Sequence, residues 1–224
     1  MNLKSGEPHE FTISGLTPET RYYHRFHSRK GGAGDIGHSQ EYSFITARPP
    51  GSPFTFTLQA DSHLEPGTAP EVYQQSLINS LAAKPDFHIV LGDTFMTDKY
   101  EDFKDSAPQY LAQCYYFGLV GHSAPVFLVL GNQDGEKVDK RGGAEAAKYF
   151  GWGGRNLDGI IYQEFPQPSS ARVSLRSAEE YGYKSGTLLP TPGVLRIDAG
   201  PAAATLSFIG SKPGADHPAP VMDH

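Results

Sequence analysis

Three short groups of polar residues, each at the end of an apolar run, contain side chains that bind metal ions. The groups are Asp61-Ser62-His63, Gly92-Asp93 and Gly131-Asn132. Each group alone is weak evidence, because Asp-x-His arises by chance and both Gly-Asp and Gly-Asn are common in turns. Their conjunction is more informative, because the three groups follow one another in order and each contains a side chain able to bind a metal ion.

The apolar runs before these groups predict the strands that must position them. The predicted strands are residues 54–58, 87–91 and 125–130, separated by helical stretches at 69–83 and 106–119. The first helix has a capping-box pattern in Thr68 and Glu71. Alternating strands and helices predict an α/β fold with a parallel sheet that helices cover on both faces. In such a sheet the ligand lies beyond the carboxyl ends of the strands, where all three polar groups fall.

Two further stretches predict β structure at the ends of the chain. Residues 10–16, 21–28 and 40–46 read as strands of a partial β domain spanning 1–48, and 193–209 reads as a terminal hairpin. A Pro/Gly/Ser-rich linker at 49–53 separates the first domain from a second one at 54–224. The stretch 15–23 resembles the corner of fibronectin type III domains in which a tyrosine hydroxyl bonds back to upstream backbone. Because a full sandwich needs about 100 residues, we expect open sheet edges that favour oligomer formation.

Residues 54–136 resemble the calcineurin-like metallophosphoesterases through the three polar groups. Together with the fibronectin-like piece, the arrangement is similar to that of purple acid phosphatases and related secreted phosphodiesterases. The resemblance implies a sandwich of sheets with helices outside, and two divalent or trivalent metal ions (Mn, Fe or Zn). It implies that Asp61 and His63 bind the first ion, that Asp93 bridges both, and that Asn132 binds the second through its amide oxygen. It further implies that hydroxide from a bridging water attacks a small-molecule phosphoester, and that the protein is secreted or periplasmic.

The chain departs from the family pattern directly after Asn132. Family members usually continue with a histidine that assists the leaving group, whereas this chain has Gln133 followed by Asp134. A glutamine donates a hydrogen bond to a phosphoryl oxygen but delivers no proton near neutral pH, so we expect a rate deficit of roughly 100- to 10,000-fold. We therefore take Asn132, Gln133 and Asp134 as the candidate catalytic residues.

Other expected residues of the family are absent from their usual places. After Asn132 the only histidines are His217 and His224, in a Pro-rich tail, and we assign neither as a ligand. The position that holds an iron-binding tyrosine in purple acid phosphatases is Met96, so we expect no iron-tyrosinate centre. The downstream histidine loop has no clear counterpart, and by comparison with the family the chain looks shortened.

Composition restricts the remaining possibilities. The net charge of -6 over 224 residues, without a sizeable basic cluster, gives no nucleic-acid or membrane signal. Cys114 is the single cysteine, which excludes an intrachain disulfide. Residues 1–10 lack the basic-then-apolar pattern of a signal peptide, so the sequence itself leaves the compartment open.

Three hypotheses follow from these observations. The first is a phosphoester hydrolase, a phosphatase or phosphodiesterase, which the intact Asp61, His63, Asp93 and Asn132 favour. The second is a non-catalytic metallophosphoesterase remnant, which Gln133 and the missing late histidines favour. The third is an extracellular binding module, which leaves the three strand-end groups unexplained.

Overall fold

The computed structural model describes residues 10–29, 34–64, 67–96, 99–100, 105, 107–129, 131, 134, 168–170, 189 and 191–211. The chain divides into two compact units, Met1–Pro50 and Gly51–His224. In the first unit the strands are β1 (Arg21–His24), β2 (His27–Ser28), β3 (Gly37–His38) and β4 (Tyr42–Ile45). β1 pairs antiparallel with β4, and β2 pairs antiparallel with β3.

The corner before β1 forms the hydrogen bond that its sequence predicts. The backbone N–H of Thr17 donates to the Tyr22 hydroxyl at 2.8 Å, and this bond lowers the pKa of Tyr22. The predicted strand at 10–16 is wrong, because these residues form no ladder. Phe11 and Ile13 are 61% and 62% exposed, so the apolar side of the alternation is largely open to solvent.

The second unit is a mixed α/β structure built on a five-stranded sheet. Its elements are β5 (Phe54–Gln59), α1 (Pro70–Ala82), β6 (Phe87–Val90), α2 (Ala107–Gly121), β7 (Val126–Leu128), β8 (Gly193–Ala199) and β9 (Ala204–Gly210). The strand order is β7-β6-β5-β8-β9, with β5, β6 and β7 parallel and both β8 and β9 antiparallel to their neighbours. The predicted hairpin is confirmed, but a wholly parallel sheet is wrong because the hairpin pairs with the outer edge of β5.

The two helices pack against each other and therefore lie on one face of the sheet. Their shared core consists of Tyr73, Leu77, Val120 and Ala124. The predicted capping box is wrong: Ala69 is the N-cap residue and makes no side-chain cap bond, while Pro70 fixes the first turn. No helix in the described part of the chain is both long and apolar enough to cross a membrane.

The opposite face of the sheet carries a cluster of phenylalanines. Phe56 and Phe87 stack with ring centroids 5.1 Å apart, Phe54 stacks on both, and Phe127 meets Phe87 edge to face. Phe127 is 55% exposed and its neighbour Leu128 is 51% exposed, so the predicted burial of the third strand is wrong. Among the described strands, β7 lies at the edge of the sheet and has β6 as its neighbour.

Candidate functional site

The loops that follow β5 and β6 are tied together at the carboxyl ends of these strands. The backbone N–H of Asp61 donates to the Gly92 carbonyl at 2.9 Å, and the N–H of Leu91 donates to the Gln59 carbonyl at 2.8 Å. β5 and β6 are adjacent and parallel, so their ends meet at the same edge of the sheet. The sheet therefore brings together the first two predicted metal-binding groups.

Both aspartates of these loops have a left-handed backbone conformation. The φ angle is 56° at Asp61 and 51° at Asp93, and Gly92 between the strand and Asp93 has φ 102°. Aspartate tolerates this region better than most residues, because its short polar side chain bonds locally. The sharp change of direction after each strand accounts for an aspartate at both positions.

The carboxylates of these loops interact electrostatically. The pKa of Asp61 is raised to about 6, chiefly by burial and in part by the negative charges of Asp93 and Asp134. Like charges that approach one another disfavour ionisation, whereas a cation placed between them would favour it. The edge of the sheet is therefore a place where a positive ion would relieve repulsion.

Asp134 connects the loop after β7 to the loop after β6. Its Oδ1 accepts the N–H groups of Thr94 and Phe95, each at 2.6 Å, and its Oδ2 accepts the N–H of Gly131 at 3.0 Å. The residue is buried, and both carboxylate oxygens are engaged. Asp134, which the sequence analysis includes among the catalytic candidates, therefore holds the two loops together by hydrogen bonds.

Gly131 lies directly against Asp93. A Cβ at residue 131 would overlap the backbone nitrogen and Oδ1 of Asp93. The third predicted group therefore reaches the same place as the first two. Asn132 and Gln133, the next two residues of that group, lie outside the described residues, as do His217 and His224.

A contact that no motif predicted fixes the backbone of His63, whose side chain is half-buried. The Ser169 hydroxyl donates to the His63 carbonyl at 3.0 Å, and the Ser169 carbonyl accepts the Ala69 N–H at 2.7 Å. Ser169 is fully buried and thus joins the loop after β5 to the start of α1. It lies in a stretch without a recognisable pattern, and its neighbours in sequence carry no signal that would have identified it.

The donor chemistry of this edge fits a hard metal ion, because carboxylate oxygens are the ligands that such ions prefer. Within the described ranges, however, no group of three or more His, Cys, Asp or Glu side chains is arranged to hold a metal ion. The described residues thus supply a pair of interacting carboxylates, Asp61 and Asp93, with His63 in the same loop as the first.

Comparison with known proteins gives a weak likeness to a solved structure. No family model and no curated protein sequence matches the chain. Among solved structures, it is similar to the purple acid phosphatase isolated from yellow lupin (Lupinus luteus) seeds, with 18% identity and a TM-score of 0.41. The match covers 54% of this chain and 22% of that one, so the chain spans less than a quarter of the length of its neighbour. A likeness of this degree does not assign the chain to a family.

Proposed function

We propose that the chain is a metal-dependent phosphoester hydrolase, a phosphatase or phosphodiesterase of the metallophosphoesterase type. The observation that carries the proposal is the meeting of the Asp61 and Asp93 loops at the carboxyl ends of two adjacent parallel strands. Burial and, to a lesser extent, repulsion from Asp93 and Asp134 raise the pKa of Asp61, and a bound cation would offset this repulsion. The proposal includes the sandwich architecture, in which a second sheet would pack on the phenylalanine face.

The proposed ligands are Asp61, His63, Asp93 and Asn132. Bound ions would supply two kinds of chemistry, a lowered pKa for a coordinated water and compensation of the charge on phosphoryl oxygens. At residue 133 the side-chain amide would donate a hydrogen bond to a phosphoryl oxygen without protonating the leaving group. We therefore propose small phosphoesters with good leaving groups, such as aryl esters, as the substrates that this chain turns over fastest.

Gln133 also favours a second candidate, a metal-binding remnant without catalysis. The two candidates differ in one measurable property, since both bind metal and only the first hydrolyses phosphoesters. Replacing Gln133 with histidine tests whether leaving-group protonation is what the chain lacks. Background activity in Q133H with two bound metals would show that a further catalytic group is missing.

The test combines metal analysis with hydrolysis of 4-nitrophenyl phosphate and bis(4-nitrophenyl) phosphate in the presence of Mn²⁺ or Zn²⁺. We expect bound metal and turnover in the wild type, and loss of both in D61N and D93N. The matched control is D86N, because Asp86 bonds to the Thr55 N–H at the amino end of β5 and lies away from the proposed ligands. Metal without turnover supports the remnant, and less than one metal per chain without turnover overturns both candidates.

A further inference from the structure

A buried glutamine of α2 contacts both loops that carry the proposed metal-binding carboxylates. Gln113 lies within α2 and is fully buried. Its Nε2 donates to the Ser62 carbonyl at 2.7 Å and to the Thr94 carbonyl at 3.0 Å. These carbonyls belong to the residues directly after Asp61 and Asp93. The Gln113 side chain therefore links the two loops through hydrogen bonds to their backbones.

Neighbouring polar groups fix the direction in which this amide faces. The Tyr73 hydroxyl donates to Oε1 of Gln113 at 3.0 Å, and Nε2 of Gln59 donates to the Tyr73 hydroxyl at 3.2 Å. If the Gln113 amide were flipped, its oxygen would face two carbonyl oxygens that have no proton to donate. Gln59, Tyr73 and Gln113 thus form a chain of hydrogen bonds, in which both side-chain N–H groups of Gln113 donate and its side-chain carbonyl accepts.

The two contacted carbonyls follow directly on the two left-handed residues of the site. Ser62 is fully buried and Thr94 is 2% exposed, so the solvent does not replace a lost donor there. Without Gln113, each turn would be free to rotate its peptide unit in search of another donor. Such a rotation moves the backbone of Asp61 or Asp93 and changes the separation of the two carboxylates.

We propose that Gln113 is a positioning residue that sets the spacing of Asp61 and Asp93 and thereby the metal affinity of the site, an inference that rests on the proposed function. Gln113 is not among the proposed metal ligands. It acts through the peptide units that follow the two aspartates. Residues that orient metal ligands in this way typically change metal affinity by about 10- to 100-fold when they are replaced.

The test compares Q113M with a matched control on the same helix. Methionine keeps the length and most of the volume of glutamine but donates no hydrogen bond. The control is Q109M, because Gln109 is also buried on α2, yet its amide donates to the Tyr100 hydroxyl at 2.8 Å. In a titration with Mn²⁺ followed by electron paramagnetic resonance, we expect affinity about 10- to 100-fold weaker in Q113M and unchanged in Q109M. Equal weakening in both variants would make Gln113 an ordinary core residue and overturn the inference.

A second variant and a metal-free measurement keep the test decisive if Q113M folds poorly. Y73F retains the aromatic ring in the core and removes the hydroxyl that orients the Gln113 amide, so it should weaken Mn²⁺ binding less than Q113M. In the metal-free protein, the amide of Asp61 should exchange its hydrogen faster in Q113M and Y73F than in Q109M, relative to global unfolding. Unchanged affinity and unchanged exchange in both variants contradict the inference. A wild type that binds no Mn²⁺ overturns the proposed function, and amide exchange then decides alone whether Gln113 holds the loops.

Discussion

At residue 131, the space that a side chain would occupy is already taken by Asp93. We predict that Gly131→Ala destabilises the protein by about 1 to 3 kcal/mol, because the added methyl group must displace the Asp93 amide and carboxylate. The same displacement should weaken Mn²⁺ binding. Urea unfolding and metal titration of the variant measure the two effects.

Gly118 provides the matched control for this substitution. Among the described residues, nothing lies within 4 Å of the position that its Cβ would occupy, and it belongs to α2. Gly118→Ala should stabilise the protein by about 0.5 to 1 kcal/mol through helix propensity and leave Mn²⁺ binding unchanged. If both alanine variants behave alike, the close approach of Gly131 to Asp93 has no consequence for the site.

The residues of the site differ in how far their sequence context identifies them. Asp61 and Asp93 follow apolar strands, and strand ends of a parallel sheet meet, so their proximity follows from local patterns. Gln113 lies in the middle of an apolar helix, where a glutamine carries no signal of its partners. The role of Gln113 depends on the packing of α2 against the loops after β5 and β6. The contact of Ser169 with His63 likewise depends on tertiary packing that the sequence does not reveal.

Among the elements, the corner before β1 offers a direct test of a single hydrogen bond. We predict that Tyr22→Phe exposes the Thr17 amide, because the tyrosine hydroxyl is its acceptor. Hydrogen exchange of that amide should accelerate towards the rate of an unprotected amide. Tyr23→Phe is the control, since Tyr23 is 65% exposed and the Thr17 amide bonds to the neighbouring tyrosine. Equal exchange in both variants would contradict a structural role for the Tyr22 bond.

Helices and strands bounded by strong local signals were predictable from the sequence, whereas the pairing between distant segments was not. β5 and β6 are apolar runs ended by Asp or Gly, and α1 lies between Pro70 and Pro85, so both their type and position follow from the sequence. The alternation at 10–16 has the right period but forms no strand, and no local pattern reveals this outcome. The insertion of β8 beside β5 depends on contacts between distant parts of the chain, and for that reason the mixed sheet was missed.

For the whole molecule, a buried histidine predicts how stability depends on pH. His88 is fully buried, shares a 2.8 Å hydrogen bond between Nδ1 and the Thr57 hydroxyl, and burial lowers its pKa to about 4. The unfolded chain binds a proton at an ordinary histidine pKa of about 6.5, so between pH 6.5 and 4 the unfolded state holds more protons. We therefore predict that stability falls as the pH drops through this interval, with a slope contribution approaching 1.4 kcal/mol per pH unit, an order-of-magnitude figure.

A glutamine at residue 88 isolates this contribution. His88→Gln retains a group that bonds to Thr57 but does not titrate, and all other ionisable groups are common to both proteins. Urea unfolding at pH 7.5, 5.5 and 4.5 should show a smaller loss of stability in the variant. If stability depends on pH in the same way in both proteins, His88 binds its proton as readily in the folded state as in the unfolded state.

The pairing of β5 with β8 has a consequence for the order in which the chain folds during synthesis. The hydroxyl of Thr55 bonds to Asp198, 143 positions later, so β5 acquires its second neighbour only when most of the chain has left the ribosome. Until then β5, β6 and β7 have their parallel partners, while the other edge of β5 lacks its ladder. Pairings of such high sequence separation form slowly, and an open strand edge is a template for aggregation. We therefore expect the nascent chain to depend on slow elongation or chaperones until the β8–β9 hairpin emerges.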